Sequence, residues 1–208
     1  MFSKKMKVLI ACEFSGIVRD AFSAQGHDSV SCDLLPAERP GKHYQGDVRD
    51  ILNGEWDIMI AFPPCTYLSC VANRHMKNPN RTKLRDEAME FFMLLWNASI
   101  HYICIENPVG FPNTAFRKPD QIIHPYYFGD PLTKRTCLWL KNLPKLDYDD
   151  TIIPKPDPLY ICNGSKCKGR KIYFIEGIKG IPVKDRWKHR SRTFPGVARA
   201  MAEQWVGD

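Results

Sequence analysis

"WDIMIAFPPC", residues 56–65, decides how the chain is read. The run from Trp56 to Phe62 is apolar almost throughout, as a strand buried on both faces of a parallel sheet is. Pro63 and Pro64 end it, because proline fixes φ and has no N–H to give to a strand ladder. Cys65 therefore sits just past the carboxyl end of the strand, on a stiffened segment. The plain reading is a loop cysteine with no task. The sharper one is a nucleophile whose sulfur must not wander.

Working outward, the chain alternates. "MKVLIA" (6–11), "DSVSCDLL" (28–35), "HYICIEN" (101–107) and "RTCLWLK" (135–141) read as further strands. "IVRDAFSAQG" (17–26) reads as an amphipathic helix that stops at Gly26 in the C′ position. "TKLRDEAMEFFMLLWNAS" (82–99) reads as a long helix, and "PGVARAMAEQWV" (195–206) as a helix with Pro195 at its start. "ERPGKHYQGDVRDIL" (38–52) reads as a loop with a short turn. Strand, helix, strand, repeated, predicts an α/β fold: an open, mostly parallel sheet with helices on both faces and right-handed crossovers.

The 208 residues suit one domain, with a small irregular insertion around 147–188 that is rich in Pro, Gly and Lys. Apolar content of 44% and charged content of 25% are those of an ordinary globular protein. The apolar stretch of "MFSKKMKVLIAC" runs into Glu13 and is too short for a signal h-region or a membrane span. The expectation is a cytoplasmic protein with no membrane partner. Eight cysteines then belong to a reduced chain. Several lie in apolar runs, where a thiol acts as a small hydrophobe, and Cys70 reads as such a packing thiol. Cys162 and Cys167 are too far apart for a CxxC, and the six histidines form no metal-binding pair. No metal is expected.

The formal net charge is +7, from 30 Lys and Arg against 23 Asp and Glu. Much of the excess lies in "KCKGRK" (166–171) and "KDRWKHRSR" (184–192). Such clusters attract phosphate backbones, so nucleic acid is the favoured partner over a merely solvated face.

In open α/β sheets ligands bind beyond the carboxyl ends of the strands. There this sequence carries "CEFSG" (12–16), Asp33 in "CDLL", Asp47 in "GDVRD", Cys65, and Glu106-Asn107 in "IENP". Gly16 allows close backbone approach where a helix begins, and Asp33 stands where an acid can accept both hydroxyls of a ribose. Each acid taken alone is as readily a helix cap; four such strand ends in succession favour a site. If Cys65 and Glu106 face one another, the chemistry is defined. A thiolate attacks electron-poor carbon, while a carboxylic acid binds or protonates a ring nitrogen and drains electrons from that carbon. A cytosine fits both demands: thiolate adds at C6, the acid steadies N3, and C5 becomes able to take an electrophilic methyl group.

"EFSG", "CDLL", "GDVRDIL", "FPPCTYLS" and "IENP", in this order, resemble the cytosine-5 DNA methyltransferase family. "KRTCLWL" is similar to that family's arginine-bearing strand, and "RSRTFPGVARAMAEQWV" to its C-terminal motif and closing helix. The likeness covers about residues 7–143 and 190–206. It implies a Rossmann-like, S-adenosylmethionine-dependent methyltransferase fold and a DNA substrate with the cytosine flipped out of the stack or presented on a single strand. By the same resemblance Phe14, Ser15 and Gly16 cradle the cofactor, Asp33 holds its ribose and Asp47 its adenine, with Leu34, Val48 and Pro63 beside them. Pro64 and Cys65 face the base, Glu106 grips N3, Arg135 reaches the O2 side, and Asn107, Arg190 and Arg192 complete substrate binding.

The departures are specific. Cys12 stands where the family has Asp, Val18 where it has Gly, and Pro108 where it has Val. Residues 147–188 occupy the place of a large target-recognition region. That points to a compact, phage-like, monomeric member acting in a bacterial or phage-infected cell. It also leaves open an RNA or cytosine-nucleotide substrate, or a non-catalytic nucleic-acid-binding protein with this fold.

Overall fold

β1 (Lys7–Ala11) lies inside the sheet because it has no polar side to turn outward: four of its five residues are fully buried. It pairs in parallel with β2 (Asp28–Asp33) on one side and β4 (Ile58–Ala61) on the other. The computed structural model describes residues 5–75, 78–148, 157–158, 160–165, 168–169, 171–172, 182 and 185–205. Among these, a seven-stranded sheet runs in the order β3-β2-β1-β4-β5-β7-β6. Its remaining strands are β3 (His43–Gln45), β5 (Tyr102–Pro108), β6 (Gln121–Ile123) and β7 (Thr136–Lys141). β7 runs antiparallel between β5 and β6, and the other pairings are parallel. The predicted open, mostly parallel sheet is what the chain forms.

Alternation along each strand divides the core in two. Val8, Ile10, Ile58, Ile60, Cys104, Leu138 and Leu140 face one side, against α1 (Ile17–Ala24) and α5 (Pro195–Gln204). Leu9, Ala11, Met59, Ala61, Ile103, Ile105 and Trp139 face the other, against α2 (Pro79–Trp96). Helices thus cover both faces. α1 closes as expected, with Gly26 at φ 88° just past the cap. α2 starts at Pro79, earlier than the apolar pattern indicates, because the Asn78 side chain accepts the Asn80 N–H at 3.0 Å and Pro79 suits the first turn. The loop read over 38–52 contains β3, and β6 was not anticipated. Short helices α3 (Pro112–Ala115) and α4 (Arg186–Ser191) complete the frame. The insertion around 147–188 lies mostly outside the described residues; the part described includes a two-stranded hairpin, β8 (Tyr160–Ile161) with β9 (Lys171–Ile172).

The chain leaves β1 for β2 on one side and reaches β4 on the other, so a crevice opens at the carboxyl ends of β1 and β4. The segment after β4 is fastened there. Ser69 bridges Gly110, the Phe111 N–H donates to the Leu68 carbonyl at 2.7 Å, and the Cys70 N–H donates to Val109 at 3.0 Å. Only a glycine permits this approach, since a Cβ on Gly110 would lie 1.9 Å from the Leu68 carbonyl oxygen. Gly110→Ala is expected to lower stability by about 1–3 kcal/mol, the usual cost of forcing atoms into a packed contact. Urea denaturation of the two proteins measures it, and coincident curves would refute the close approach.

Candidate active site

Two sets of hydrogen bonds hold the Pro-Pro-Cys segment. Asn107, completely buried at the end of β5, donates its side-chain N–H to the Pro63 carbonyl at 2.8 Å across 44 residues. The Leu68 and Ser69 N–H groups close a turn on the Cys65 carbonyl at 3.2 and 3.0 Å. Pro63 is buried, Pro64 and Cys65 are exposed. Cys70 is exposed too, which corrects its reading as a packing thiol: it lies in a short 3₁₀ segment, not under the sheet.

Glu106 stands on the neighbouring strand, next to Ile105, which pairs with Ala61 at the end of β4. It shares its face with Cys104 and lies on the α5 side of the sheet, whereas Asn107 lies on the α2 side. With Phe62, Lys134, Thr136, Arg192 and Phe194 it lines a cavity of about 20 Å³. That is room for about one water. Burial pushes the Glu106 carboxyl above its ordinary 4.5, while Lys134 and the Thr136 hydroxyl pull it back. The Cys65 thiol is also pushed up, first by the loss of water around it and then by the Glu106 charge; Lys134 and Arg190 oppose this. The Glu106 charge thus bears on Cys65.

The structure brings Lys134 to this cavity and not Arg135. Thr136 pairs with Pro108, and Leu138 with Glu106. Stepping back by twos from Leu138 along the Glu106 face leads to Thr136 and Lys134. Arg135 falls on the other face, where its charge acts on Cys137. Arg190 is exposed. Arg192 is fully engaged: Nε and Nη2 donate to the Glu38 carboxylate at 2.8 and 2.7 Å, and Nη1 lies 2.8 Å from His189 Nδ1.

A second cavity, of about 260 Å³, opens on the α2 side. Asp33, Leu34, Asp47, Val48 and Pro64 line it, with Phe91 opposite. Asp33 Oδ1 accepts the Leu35 N–H at 2.9 Å, and its carboxyl is pushed up by burial, with Leu35 and His43 acting against that. Asp47 caps a short turn through the Arg49 N–H at 2.9 Å and pairs with the Arg49 guanidinium at 2.8 Å. Both acids are thus local caps and cavity walls at once. Phe14, Ser15 and Gly16 do not line this space. Phe14 and Ser15 are buried, and the Phe14 ring lies 6.3 Å from that of Trp187, which is 47% exposed. Gly16 adopts the left-handed region at φ 74°, and a Cβ there would lie 2.5 Å from Arg19 Nη2. Glu13, two residues past β1, turns inward: its carboxylate accepts the Ser15 hydroxyl and, at 2.8 Å, the Ile17 N–H. It caps α1.

A nucleoside fits this second cavity in kind. Two carboxylates are on hand for a diol or ring nitrogen, and Phe91 and Val48 supply apolar walls for a flat base. The volume lies at the low end of small-molecule sites, which run to about 300–1,000 Å³. Lys134, Thr136, Glu38 and Phe91 escaped the reading from sequence. Lys134 was visible beside Arg135, but the face each takes is set by a register that no local pattern carries.

Among the described residues no cluster of His, Cys, Asp and Glu is arranged for a metal ion, and no helix is long and apolar enough to cross a membrane. Cys162 is disulfide-bonded, while Cys12, Cys32, Cys65, Cys70, Cys104 and Cys137 are free thiols, as a mostly reduced set requires; Cys167 lies outside the described residues.

The strand order, with antiparallel β7 inserted beside β5, is that of an open, mostly parallel Rossmann-like α/β sheet. No protein-family model matches the chain, and no curated protein matches it. Among solved structures it is similar to the methyltransferase EhMeth of Entamoeba histolytica, at 15% identity and a TM-score of 0.48, over 77% of this chain and 61% of that one. It is also similar to WbdD, solved with the kinase inhibitor LY294002, at 12% identity and a TM-score of 0.38, over 69% of this chain and 37% of that one. The chain thus spans less than two thirds of either.

The raised Glu106 carboxyl has a consequence for stability. A carboxyl whose folded value lies above its unfolded one binds more protons when folded, so its contribution is present at low pH and lost as pH rises from about 4.5. The unfolding free energy of Glu106→Gln should therefore fall less than that of the parent between about pH 4 and about pH 8. Parallel pH profiles in the two proteins would show that Glu106 is not strained by burial.

Proposed function

We propose that the chain is an S-adenosylmethionine-dependent DNA (cytosine-5-)-methyltransferase acting through a covalent Cys65 adduct. The observation that carries this is the pairing of Cys65, on a segment pinned by Asn107 and two prolines, with Glu106 on the adjacent strand. A nucleophile and an acid that follow neighbouring strands suit attack on a ring carbon beside a protonated ring nitrogen.

The steps for this chain's residues follow. Cys65 loses its proton to solvent and its sulfur bonds to C6 of the pyrimidine. Glu106 gives a proton to N3, so the C5–C6 double bond opened by the addition is replaced by a C4–C5 enamine double bond with C5 as its nucleophilic carbon. Asp33, Leu34, Asp47 and Val48, which line the larger cavity, would hold S-adenosylmethionine, whose sulfonium would supply an electrophilic methyl group for C5. Loss of the C5 proton then expels the Cys65 thiolate, and Glu106 recovers the N3 proton. Pro63 and Pro64 serve near-attack geometry, where reacting atoms stand about 3–3.5 Å apart. The target base must leave the stack, at a few kcal/mol, and Arg190 and the basic segment around it suit the flanking phosphates.

A second reading has its own support. Cys12 and Val18 alter the first loop, and Phe14, Ser15 and Gly16 stand away from the larger cavity; a non-catalytic nucleic-acid-binding protein would tolerate both. Titration calorimetry with S-adenosylmethionine separates the two. The enzyme reading expects saturable binding that Asp33→Ala weakens by about 1–3 kcal/mol, the cost of a lost charged hydrogen bond. Absence of heat from the folded protein would favour the second reading.

The decisive experiment uses DNA containing 5-fluorocytosine. Fluorine at C5 cannot leave as a proton does, so the enzyme should remain bonded to the DNA as an adduct that resists denaturant on a gel. Cys65→Ser should abolish the adduct and Cys70→Ser should not. Adduct that persists in Cys65→Ser ends the nucleophile assignment. Adduct with RNA or a free nucleotide, and none with DNA, keeps the mechanism and changes the substrate.

A further inference from the structure

α2 carries Arg81 and Arg85 four residues apart, so the two side chains share one face of the helix. Both are half-buried, and each lays its guanidinium over an aromatic ring. Arg81 lies 5.2 Å from the centre of the Tyr67 ring, and Arg85 lies 4.1 Å from that of Phe111. The rings belong to the two segments that are fastened together beyond the sheet. Tyr67 lies inside the turn that the Leu68 and Ser69 N–H groups close on the Cys65 carbonyl, and the Phe111 N–H donates to the Leu68 carbonyl at 2.7 Å. The two arginines thus stand on the segment that carries Cys65.

A guanidinium withdrawn from water is ordinarily paired with a carboxylate. Arg117 shows the usual arrangement: it lies 4.9 Å from the centre of the Trp96 ring, and its two Nη atoms donate to the Asp120 carboxylate at 2.9 and 2.7 Å. Arg81 makes no ion pair and no hydrogen bond among the described residues, and its buried Nε has no acceptor. Arg85 reaches a carboxylate only at Asp86, 3.7 Å away and 58% exposed, and its buried Nε has no acceptor either. Lys83, between them in sequence, is paired with Glu87 at 3.9 Å. A ring face attracts the cation but leaves the in-plane N–H donors unused. Two stiffened forks on one helix face, with their charge largely unmet, match the geometry of phosphate oxygens.

We propose that Arg81 and Arg85 form a phosphate clamp that holds the nucleic-acid strand beside Cys65, with Tyr67 and Phe111 as the platform that keeps both guanidinium groups in place. A base brought to Cys65 carries the phosphodiesters of its own strand with it, and the chain's net charge of +7 favours such a partner. The clamp is a second contact, separate from the basic segment around Arg190. The contact is sequence-independent, since phosphates position a strand and bases specify it. The inference deepens the nucleic-acid reading made above and rests on it, yet its test needs no methyl transfer.

The test is the salt dependence of binding to a fluorescein-labelled DNA duplex, read by anisotropy on the full chain without methyl donor, from about 50 to about 200 mM NaCl. Each phosphate met contributes about 0.9 to the steepness of log K against log salt. Arg81→Gln and Arg85→Gln should each make the slope shallower by about 0.9 and weaken binding to the same degree on any sequence. Arg81→Lys and Arg85→Lys, which keep the charge, should retain the parent slope. Arg117→Gln, which removes a ring-backed arginine already met by Asp120, should retain it too. Circular dichroism establishes folding, and Arg81→Met or Arg85→Met takes the place of a glutamine variant that does not fold. The proposal is overturned if the neutral variants keep the parent slope, if the lysine variants lose as much slope as the neutral ones, if Arg117→Gln loses it equally, or if the parent does not bind DNA. Shallower slopes as expected, with no 5-fluorocytosine adduct, would keep the clamp and retire the methyl transfer. An adduct with unchanged slopes would keep the enzyme and retire the clamp.

Discussion

One buried hydrogen bond, from the Asn107 amide to the Pro63 carbonyl at 2.8 Å, joins the two halves of the site. A proline carbonyl at a strand exit has no ladder partner, and leaving it buried and unmet would cost about 1–3 kcal/mol. Asn107 meets that need and so fixes the distance between the ends of β4 and β5. Everything that follows in the chain inherits this distance: Cys65 two residues past Pro63, Glu106 one residue before Asn107, and the turn that returns on the Cys65 carbonyl. The sequence order Glu-Asn thereby separates two tasks by strand alternation. Glu106 turns to the α5 side and lines the small cavity, while Asn107 turns to the α2 side and holds the frame.

A second organiser sits under the first loop. Arg19 is 1% exposed, an unusual place for a guanidinium. It is satisfied on every side: by Asp20 at 2.7 Å, the Pro40 carbonyl at 2.9 Å, and the Ser31 hydroxyl and Arg39 carbonyl at 3.3 Å each. The space its head needs explains two glycines at once, since a Cβ at Gly16 or Gly41 would stand within 2.6 Å of its atoms. The αL turn at Gly16 is therefore spent on seating an arginine, and the loop that follows β1 is drawn toward the protein and away from the larger cavity.

Most of the fold was legible because buried parallel strands announce themselves. β1, β4 and β5 are continuous apolar runs, and their ends bear the polar groups that mark the site. β3 and β6 were not legible. "HYQ" and "QII" are three-residue edge strands, one of them polar, and nothing in such a short run distinguishes it from a loop. The choice between Lys134 and Arg135 was hidden for another reason. Both are basic and adjacent, and the face each occupies depends on the pairing of β7 with β5, an alignment between segments some thirty residues apart. Arg19 was hidden too, because an arginine in an amphipathic helix is ordinarily on the wet side.

α1 follows the first strand of the sheet, and α5 is the last helix described, yet the two share one apolar cluster: Val18 and Phe22 of the former lie with Val197, Ala198 and Met201 of the latter. During synthesis the early strands can pair as they emerge, but the α1 face of the sheet has no cover until α5 has been made. For that interval the nascent chain carries bare apolar surface of the kind that recruits chaperones or promotes association. The same timing applies to the site. Cys65 and Glu106 are in place once β4 and β5 pair, but the wall made by Arg192, Phe194 and Val197 arrives last. A ribosome-bound chain would hold its acid open to water, and the enclosure of Glu106 would coincide with completion of the fold.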